Sequence, residues 1–516
     1  MMKKFYKKEI IVVLVLLLVA VAPLVLQKGE PVKSSSADAR LVVMTPHNET
    51  IRREFGEAFA EYWEKETGQK LFIDWRTPGG TSEIRIVLDG KFSRAEKKNE
   101  KGIGVDVLFG GGSYMFQKME SQGRLVKLDV FEKKKDWFGG DFGIRQTFTG
   151  EQCYSKDHQW VGVCLSSFGI CYNVDRLERL GIEAPSTWDD LGDPRYYGQL
   201  AIADPMKSGS VAKAFEMLIQ QKIRHALDTV QREPGESREQ MLERATGQGW
   251  TKGLQLIQRI SANARYFTDK ASKIPHDVAQ GDAAAGMCVD FYGRTYNEKL
   301  KKADGTSRLV WISPKGGTSQ SVDPVAVMRG APNNQIAQSF VEFLLSDRGQ
   351  LIWNSKPGTQ NGSKYQALRR LPVRPGVYTP EHLKHFTDPE VMPYEGVPDF
   401  VYEPGLTAEL FHALRYAIKV MCIDTHDELT EAWGVLIESG VMIESMGEDQ
   451  KISSKALRNF NEVRLFSYRK AFELKRLLDK KVNKEGSLRL LDKMNRLAAN
   501  FRRSYEDSQK LARKKE

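Results

Sequence analysis

Small and hydroxyl-bearing residues follow a predicted strand in the stretch RTPGGTSE, residues 76–83. The preceding letters LFIDW (71–75) are typical of a strand, and the following letters IRIVLDGKF are typical of a helix. The glycine pair permits a close approach of the backbone to a ligand, while Thr81 and Ser82 offer hydroxyl and N–H donors. The unpaired donors and the dipole of a helix start favour an anion. The same pattern also fits a tight turn in which Thr81 only caps the helix.

Turns of the same kind occur twice more in the N-terminal part of the chain. A predicted strand at RLVVM (40–44) precedes the turn TPHNE (45–49), and one at VDVLFG (105–110) precedes the turn GGS (111–113). Three strand–turn–helix units in succession predict a mostly parallel sheet covered by helices. The turns then lie beyond the carboxyl ends of the strands, where open α/β sheets bind ligands.

A second α/β unit follows. Its predicted strand QLAIAD leads into the turn PMKSGS (205–210), which repeats the donor-rich helix start. The apolar run DAAAGMCVDFYGRTY (282–296) predicts a buried strand with an acid and a tyrosine near its end. Two such lobes predict a ligand-binding cleft between them. The candidate binding residues, all from these turns and strand ends, are Thr45, Gly80, Thr81, Ser82, Ser113, Ser208, Ser210, Asp290 and Tyr292.

The N-terminus indicates export. Four lysines precede the apolar run 10–26, and no charged residue interrupts that run. Its length and the absence of a usable cleavage site favour an uncleaved membrane anchor over a cleaved signal peptide, with the N-terminus cytoplasmic. The expected location is therefore the periplasmic or extracellular face of a bacterial cytoplasmic membrane. Residues 28–39 are a polar tether.

The positive charge of the chain is concentrated at its C-terminus. The chain has a formal net charge of +10, and residues 451–516 contain 20 Lys/Arg and 8 Asp/Glu. Apolar residues at helical spacing predict two basic amphipathic helices in this tail, with KEGS (484–487) between them and Gly486 and Ser487 as stop and cap. Packing of this hairpin on its own protein is favoured over dimerisation or contact with anionic lipid. Nucleic acid is not expected as a partner of an exported chain.

Five cysteines in an exported protein permit at most two disulfides. Cys153 and Cys164 flank a predicted hairpin and are candidates for a cross-strand pair. The alternative is that all five are small buried apolar side chains.

Several separated blocks resemble one known family. They include SSFGICYN, GDAAAGMCVDFYGR and VDPVAVMRGAPNNQIAQSFVEFLLSDRGQLIW. Over about residues 40–434 the chain resembles an extracellular solute-binding protein of a bacterial ABC transporter, in the ferric-ion, phosphosugar and phosphonate-like branch. The resemblance implies an α/β, two-lobed, type II periplasmic-binding-protein fold that closes on its ligand by a hinge motion. The implied partners are a small-molecule solute, an ABC permease and the membrane, to which the N-terminal helix attaches the protein.

The domain organisation combines this resemblance with the two ends of the chain. The predicted segments are an anchor or signal segment with its tether (1–38), lobe one (39–158 and 321–379), lobe two (159–320), C-terminal helices on lobe two (380–434) and the basic helical tail (435–516).

The class of ligand is argued from the same residues. Iron-binding members of the family place two adjacent tyrosines where this chain has DFYGR, with Phe291 at the first place and Tyr292 at the second. This difference disfavours a bare ferric ion, and the donor-rich turns favour a phosphate ester, a phosphonate or a carboxylate. Asp290 and Glu83 leave a cationic amine open as an alternative. A ligand-sensing ectodomain that signals to a membrane partner is the alternative to transport.

An enzymatic function is not expected. The chain lacks the motifs G-x-x-x-x-G-K-[ST], H-E-x-x-H, G-x-S-x-G and C-x-x-C. No nucleophile and base are suggested by the sequence, and neither a cofactor nor a metal is expected.

Overall fold

The structure is a computed structural model that describes residues 34–440, 455–479 and 484–513. The predicted membrane anchor at 10–26 lies outside the described residues. Within them, no helix combines the length and apolar character needed to cross a bilayer.

The strands of the described residues alternate with helices over most of the chain. In chain order the strands are β1 (Ala39–Met44), β2 (Leu71–Arg76), β3 (Val107–Phe109), β4 (Thr147–Phe148), β5 (Glu151–Gln152), β6 (Val161–Ser166), β7 (Phe168–Asn173), β8 (Leu200–Ala203), β9 (Ala264–Thr268), β10 (Ala285–Val289), β11 (Leu309–Ile312), β12 (Ser321–Val327) and β13 (Leu371–Pro372). The α-helices are α1 (Glu49–Thr67), α2 (Thr81–Lys97), α3 (Ser113–Ser121), α4 (Val130–Lys133), α5 (Val174–Leu180), α6 (Gly209–Thr229), α7 (Arg238–Ala262), α8 (Lys273–Gln280), α9 (Asp290–Lys299), α10 (Asn334–Leu345), α11 (Asp347–Asn354), α12 (Pro380–Leu383), α13 (Pro404–Thr407), α14 (Phe411–Ile418), α15 (His426–Glu438), α16 (Lys455–Phe460), α17 (Tyr468–Asp479) and α18 (Lys484–Arg513).

Two sheets form the centres of two lobes. The sheet of lobe one has the strand order β13-β6-β12-β3-β1-β2, and the sheet of lobe two has the order β11-β7-β10-β8-β9. In lobe one, β1 runs parallel to β2 and β3, whereas β12 runs antiparallel to β3 and β6. In lobe two, β8 is parallel to β9 and β10, and β7 is antiparallel to β10 and β11. Both sheets are therefore mixed rather than mostly parallel as predicted.

The chain crosses between the two sheets at two short segments. The apolar run 161–173 is two strands in different sheets, because β6 pairs with β12 of lobe one while β7 pairs with β10 of lobe two. The first crossing therefore lies at Ser167, beyond the predicted boundary of 158/159. The second crossing lies between β11, which pairs with β7 of lobe two, and β12, which pairs with β6 of lobe one.

The C-terminal helices pack on lobe two and share its core. Trp250 of α7 donates a hydrogen bond from Nε1 to the carbonyl oxygen of Phe466 at 2.8 Å. Tyr505 of α18 accepts from Gln258 of α7 and donates to the carbonyl oxygen of Met421, each at 2.8 Å. Trp250, Phe466 and Tyr505 belong to the same buried apolar cluster as β7 and β10. Burial of each large aromatic side chain stabilises this contact by about 1.5–3 kcal/mol.

The boundaries of the tail helices differ from the prediction. The first predicted helix is divided into α16 and α17, with a 3-10 turn at Arg464–Phe466 between them. The last helix begins at Lys484, so the predicted stop and cap at Gly486 and Ser487 lie inside α18.

All five cysteines are buried and free, so the predicted Cys153–Cys164 pair is wrong. The register of the hairpin explains this result. The N–H of Gly162 donates to the carbonyl oxygen of Cys153 at 2.7 Å, and Tyr154 pairs with Val161. Cys153 therefore lies opposite Gly162 rather than opposite Cys164.

Candidate ligand-binding cleft

The predicted turns of lobe one lie at one edge of its sheet. Because β1, β2 and β3 are parallel, the turns before α1, α2 and α3 all follow the carboxyl ends of neighbouring strands. In lobe two, the turn before α6 follows β8, and α9 begins directly after β10, which is parallel to β8. These four turns and the start of α9 supply the predicted binding residues.

Contacts between Thr81 and two glycines bring the turns together. Thr81 Oγ1 lies 2.8 Å from the position that a Cβ at Gly209 would occupy, and Thr81 Cγ2 lies 2.7 Å from the same position at Gly111. A Cβ at Gly80 would lie 3.2 Å from the carbonyl oxygen of Lys207. Gly111 has φ 113°, which disfavours any other residue there. Lobe one and lobe two therefore touch at the start of α2, and glycines make this close approach possible.

The helix starts at this contact differ in their capping. The N-caps of α2 and α3 are Gly80 and Gly112, and neither helix has a side-chain cap. The start of α6 is capped, since Ser208 Oγ accepts from the N–H of Val211 at 3.3 Å. Thr81 is the first residue of α2 rather than its cap. The first N–H groups of α2 and α3 are thus available to an acceptor in the cleft.

Some hydroxyls of the predicted binding residues already form hydrogen bonds within the protein, and others are candidate ligand donors. Thr45 is fully buried, and its Oγ1 accepts from the N–H of His47 at 3.1 Å. Ser82 Oγ accepts from Nη2 of Arg415 at 2.7 Å. Ser113 and Ser210 are half-buried at the starts of α3 and α6. The structure therefore gives Thr45 and Ser208 local structural roles and leaves Thr81, Ser113 and Ser210 as candidate donors.

Asp290 and Tyr292 lie in the first turn of α9, not at the end of a strand as predicted, because β10 ends at Val289. Asp290 is fully buried and accepts from Arg294 Nη2 at 2.9 Å through Oδ2. Its second oxygen, Oδ1, has no partner among the described residues. Arg294 also donates to the carbonyl oxygen of Arg369 at 2.7 Å, which joins α9 to lobe one.

Tyr292 is a buried phenol at the same interface. Burial raises the pKa of Tyr292, while Arg370 and the side chain of Asn48 in lobe one oppose that rise. The net shift keeps the hydroxyl protonated, as a donor. The part of the chain that the structure describes contains no group of three or more His, Cys, Asp or Glu side chains arranged to hold a metal ion.

A buried cluster of His47, Asp323 and Arg370 was not predicted from the sequence. Asp323 Oδ2 accepts from Arg370 Nη1 at 2.6 Å and lies 3.0 Å from His47 Nε2, while Oδ1 accepts from the N–H of Gly111 at 2.6 Å. Burial alone would raise the pKa of Asp323, but Arg370, His47 and the Gly111 N–H outweigh it and hold that pKa well below its usual range. The carboxylate thus fixes the glycine turn beside Thr81.

The ionised carboxylate also determines the state of the imidazole. Burial lowers the pKa of His47, so the ring is neutral, and Nε2 carries the proton that faces Asp323. His47 Nδ1 is then a buried acceptor, and it has no partner among the described residues. The same holds for the buried Nε of Arg370. Of these three residues, only His47 lies in a turn that the sequence pattern pointed to. Asp323 lies in β12, and Arg370 immediately precedes β13.

Comparison with known proteins gives the family. The sequence profile described as "Bacterial extracellular solute-binding protein" matches residues 105–370, more than half of the chain. The chain belongs to this family. The resemblance to a solute-binding protein of an ABC transporter is thereby confirmed, and the two-lobed α/β architecture agrees with it. Membership of a family of bacterial extracellular solute-binding proteins supports a location of the folded body outside the cytoplasm.

Individual relatives are distant. The chain is 25% identical over 355 residues to an uncharacterized protein of Haemophilus influenzae, covering 68% of this chain and 85% of that protein. It is 26% identical over 192 residues to the phosphoglycerate transport regulatory protein PgtC of Salmonella typhimurium, covering 37% of this chain and 40% of PgtC. It is 23% identical over 322 residues to the iron uptake protein A1 of Synechocystis, covering 58% and 80%.

Solved structures that resemble the chain are distant as well. The periplasmic binding protein AfuA of Actinobacillus pleuropneumoniae, with exogenous fructose-6-phosphate bound, has a TM-score of 0.44 and 23% identity over 61% of this chain and 81% of AfuA. The apo ferric ion-binding protein A of Pasteurella haemolytica has a TM-score of 0.49 and 16% identity over 74% and 96%. Because both scores are below 0.5, the family assignment rests on the sequence match.

Proposed function

We propose that this solute-binding protein captures a small organic anion between its lobes and delivers it to an ABC permease while residues 10–26 tether it to the membrane. The expected ligands are a phosphate ester, a phosphonate or a carboxylate. The observation that carries the proposal is the contact at Thr81, where two helix starts without side-chain caps meet the first turn of α6. Such helix starts present N–H donors and positive dipole ends to an acceptor.

The charges of the cleft support an anion over a cation. Asp290 is paired with Arg294, and Asp323 is paired with Arg370, so each buried carboxylate already has its own guanidinium. A ferric ion or a polyamine needs uncompensated negative charge, which neither carboxylate supplies. The raised pKa of Tyr292 also disfavours the phenolate that a ferric ion would require.

The remaining acceptors suit the uncharged part of such a ligand. Asp290 Oδ1 and His47 Nδ1 are buried acceptors without partners, and both lie close to the inter-lobe contacts of α9 and the glycine turn. A buried acceptor without a partner is costly unless a donor fills it. Hydroxyl groups of a sugar phosphate or a hydroxy acid are donors of the required kind. The phosphoglycerate name of the Salmonella relative is consistent with this class, while the iron name of the Synechocystis relative is not.

Native mass spectrometry of the purified full-length protein, followed by calorimetric titration, tests the proposal. The probes are 3-phosphoglycerate and fructose 6-phosphate against ferric citrate and spermidine. We expect binding of at least one organic phosphate and no binding of spermidine. Binding of spermidine or of ferric ion alone would refute the anion proposal, and measurable turnover of a bound phosphate ester would refute the binding-protein role.

A further inference from the structure

A group of positively charged side chains lies between lobe one and the C-terminal helices, beside the proposed solute site. This basic cluster consists of Arg85 on α2, Lys118 on α3, and His412 and Arg415 on α14. Two contacts bring α14 against lobe one. Arg415 Nη2 donates to Ser82 Oγ at 2.7 Å, and the rings of Tyr114 on α3 and Phe411 on α14 lie 5.0 Å apart.

The cations of the basic cluster lack carboxylate partners. In the described ranges, neither Arg85 nor Lys118 nor Arg415 forms an ion pair. Asp89 and Asp479, the carboxylates whose charge acts on Lys118, also interact with other cations. Asp89 pairs with Arg124, and Asp479 lies 3.5 Å from Lys475. Asp89 and Asp479 still attract the charge of Lys118, but burial and Arg85 outweigh them and lower its pKa.

Arg415 is held in place by neutral acceptors only. Its Nε donates to the carbonyl oxygen of Pro205 at 2.6 Å, and its Nη2 donates to the carbonyl oxygen of Met206 at 2.6 Å as well as to Ser82. The residue is 5% exposed, and its Nη1 makes no hydrogen bond to the described residues. Asp204, whose charge acts on Arg415, accepts from the N–H of Met206 at 2.7 Å and forms no ion pair with the guanidinium in the described residues. Arg415 Nη1 is not one of the fully buried unpartnered nitrogens of the described residues, so it keeps contact with solvent and is a charged donor that an anion can reach.

The titration behaviour of the cluster agrees with this geometry. Burial, followed by Arg85, Arg415 and Lys118, lowers the pKa of His412 to about 3. Burial and Arg85 lower the pKa of Arg415 to about 10, and they also lower the pKa of Lys118. The cations therefore repel one another, and a bound anion would remove that repulsion.

We propose that the basic cluster is an anion-binding site, which takes a phosphate or carboxylate group between lobe one and α14. Arg85 and Lys118 come from lobe one, whereas Arg415 comes from a helix packed on lobe two. An anion bound by both sides therefore stabilises the contact between the lobes. This inference does not depend on which solute the cleft takes. Its anion is either a free ion or the acidic group of the solute itself.

Titration of the full-length protein with inorganic phosphate tests the proposal, with chloride of equal ionic strength as the reference. The cluster variants are Arg85→Gln and Lys118→Gln. The matched controls are Arg94→Gln on the same helix and Lys127→Gln on lobe one, since both side chains are exposed and form no ion pair in the described ranges. Affinity is measured by calorimetry and stability by thermal unfolding.

We expect phosphate to bind the wild type and both controls alike, and to bind each cluster variant about tenfold more weakly or worse, as loss of a charged hydrogen bond implies. In phosphate-free buffer of low ionic strength, the cluster variants should unfold at or above the wild-type temperature, because a repulsion has been removed. A purely structural role for Lys118 or Arg85 would instead lower that temperature.

Equal phosphate binding by wild type and cluster variants would overturn the proposal, and so would the absence of phosphate binding by the wild type. Weaker phosphate binding in Thr81→Val but not in Lys118→Gln would overturn it while leaving the proposed solute site intact. Competition between phosphate and 3-phosphoglycerate identifies the solute's acid group as the occupant. Simultaneous binding of the two identifies a free anion.

Discussion

Thr81→Val is the most direct perturbation of the proposed cleft. Valine keeps the shape of threonine but removes the hydroxyl, whose oxygen lies at the Gly209 contact between the lobes. If that hydroxyl donates to a charged oxygen of the solute, its loss costs about 1.5–3 kcal/mol of binding free energy. The expected dissociation constant is then roughly tenfold to hundredfold higher.

The same variant separates binding from folding. The N-cap of α2 is Gly80 and no side chain caps this helix, so removal of the Thr81 hydroxyl should leave the stability of the unliganded protein nearly unchanged. Loss of a capping side chain would instead cost about 1 kcal/mol of folding free energy.

Calorimetric titration with 3-phosphoglycerate and urea unfolding of the ligand-free protein together give both quantities for one variant. Thr229→Val at the opposite end of α6 is the control, because its hydroxyl donates to the carbonyl oxygen of His225, far from the cleft turns. An unchanged affinity in Thr81→Val, together with a loss of stability, would refute the assignment of Thr81 as a ligand donor. A similar loss of affinity in Thr229→Val would show that the effect is not specific to the cleft.

Three further predictions concern pH, buried charge and the membrane. In the unfolded chain His412 binds a proton below its ordinary pKa of 6.5, whereas in the folded protein it does so only near pH 3. The free energy of unfolding should therefore fall as the pH falls from 6.5 towards 3. In urea unfolding, His412→Gln should lack this contribution to the pH dependence. Arg294→Gln leaves the carboxylate of Asp290 buried without its guanidinium and should cost about 3–5 kcal/mol of stability in urea unfolding. The additional change Asp290→Asn should restore most of that loss, and a double variant as unstable as Arg294→Gln would contradict this explanation. The full-length protein should stay in the membrane fraction after alkaline carbonate extraction, and a mature N-terminus beyond residue 26 would show that the segment is cleaved.

Local pattern in the sequence identified the turns that reach the inter-lobe contact. Glycines and hydroxyl residues between a strand and a helix are signals that depend on neighbours only a few positions away, and Thr81 with its glycine pair does lie where the lobes meet. The same local signals did not distinguish a hydroxyl that caps a helix from one that can donate to a ligand. Ser208 turned out to be a helix cap, while Thr81 did not.

Apolar periodicity was less informative where secondary structure changes within a buried run. The stretch 282–296 reads as one apolar segment, yet β10 ends at Val289 and α9 begins at Asp290. Burial makes both elements apolar, so hydrophobicity alone does not separate a buried strand from a buried helix start. For the same reason, the apolar pattern of 161–173 did not show that this run contains two strands in different lobes.

The sequence by itself determined the alternation of strands and helices, the family and the location of the donor-rich turns, because each of these depends on short stretches of the chain. Only the tertiary structure decided which charges meet. Asp323 contacts His47 across 276 positions of the chain, and Arg415 contacts Ser82 across 333. No local pattern encodes such pairs, since their energy comes from burial and mutual neutralisation that exist only once the two lobes and the C-terminal helices have packed together.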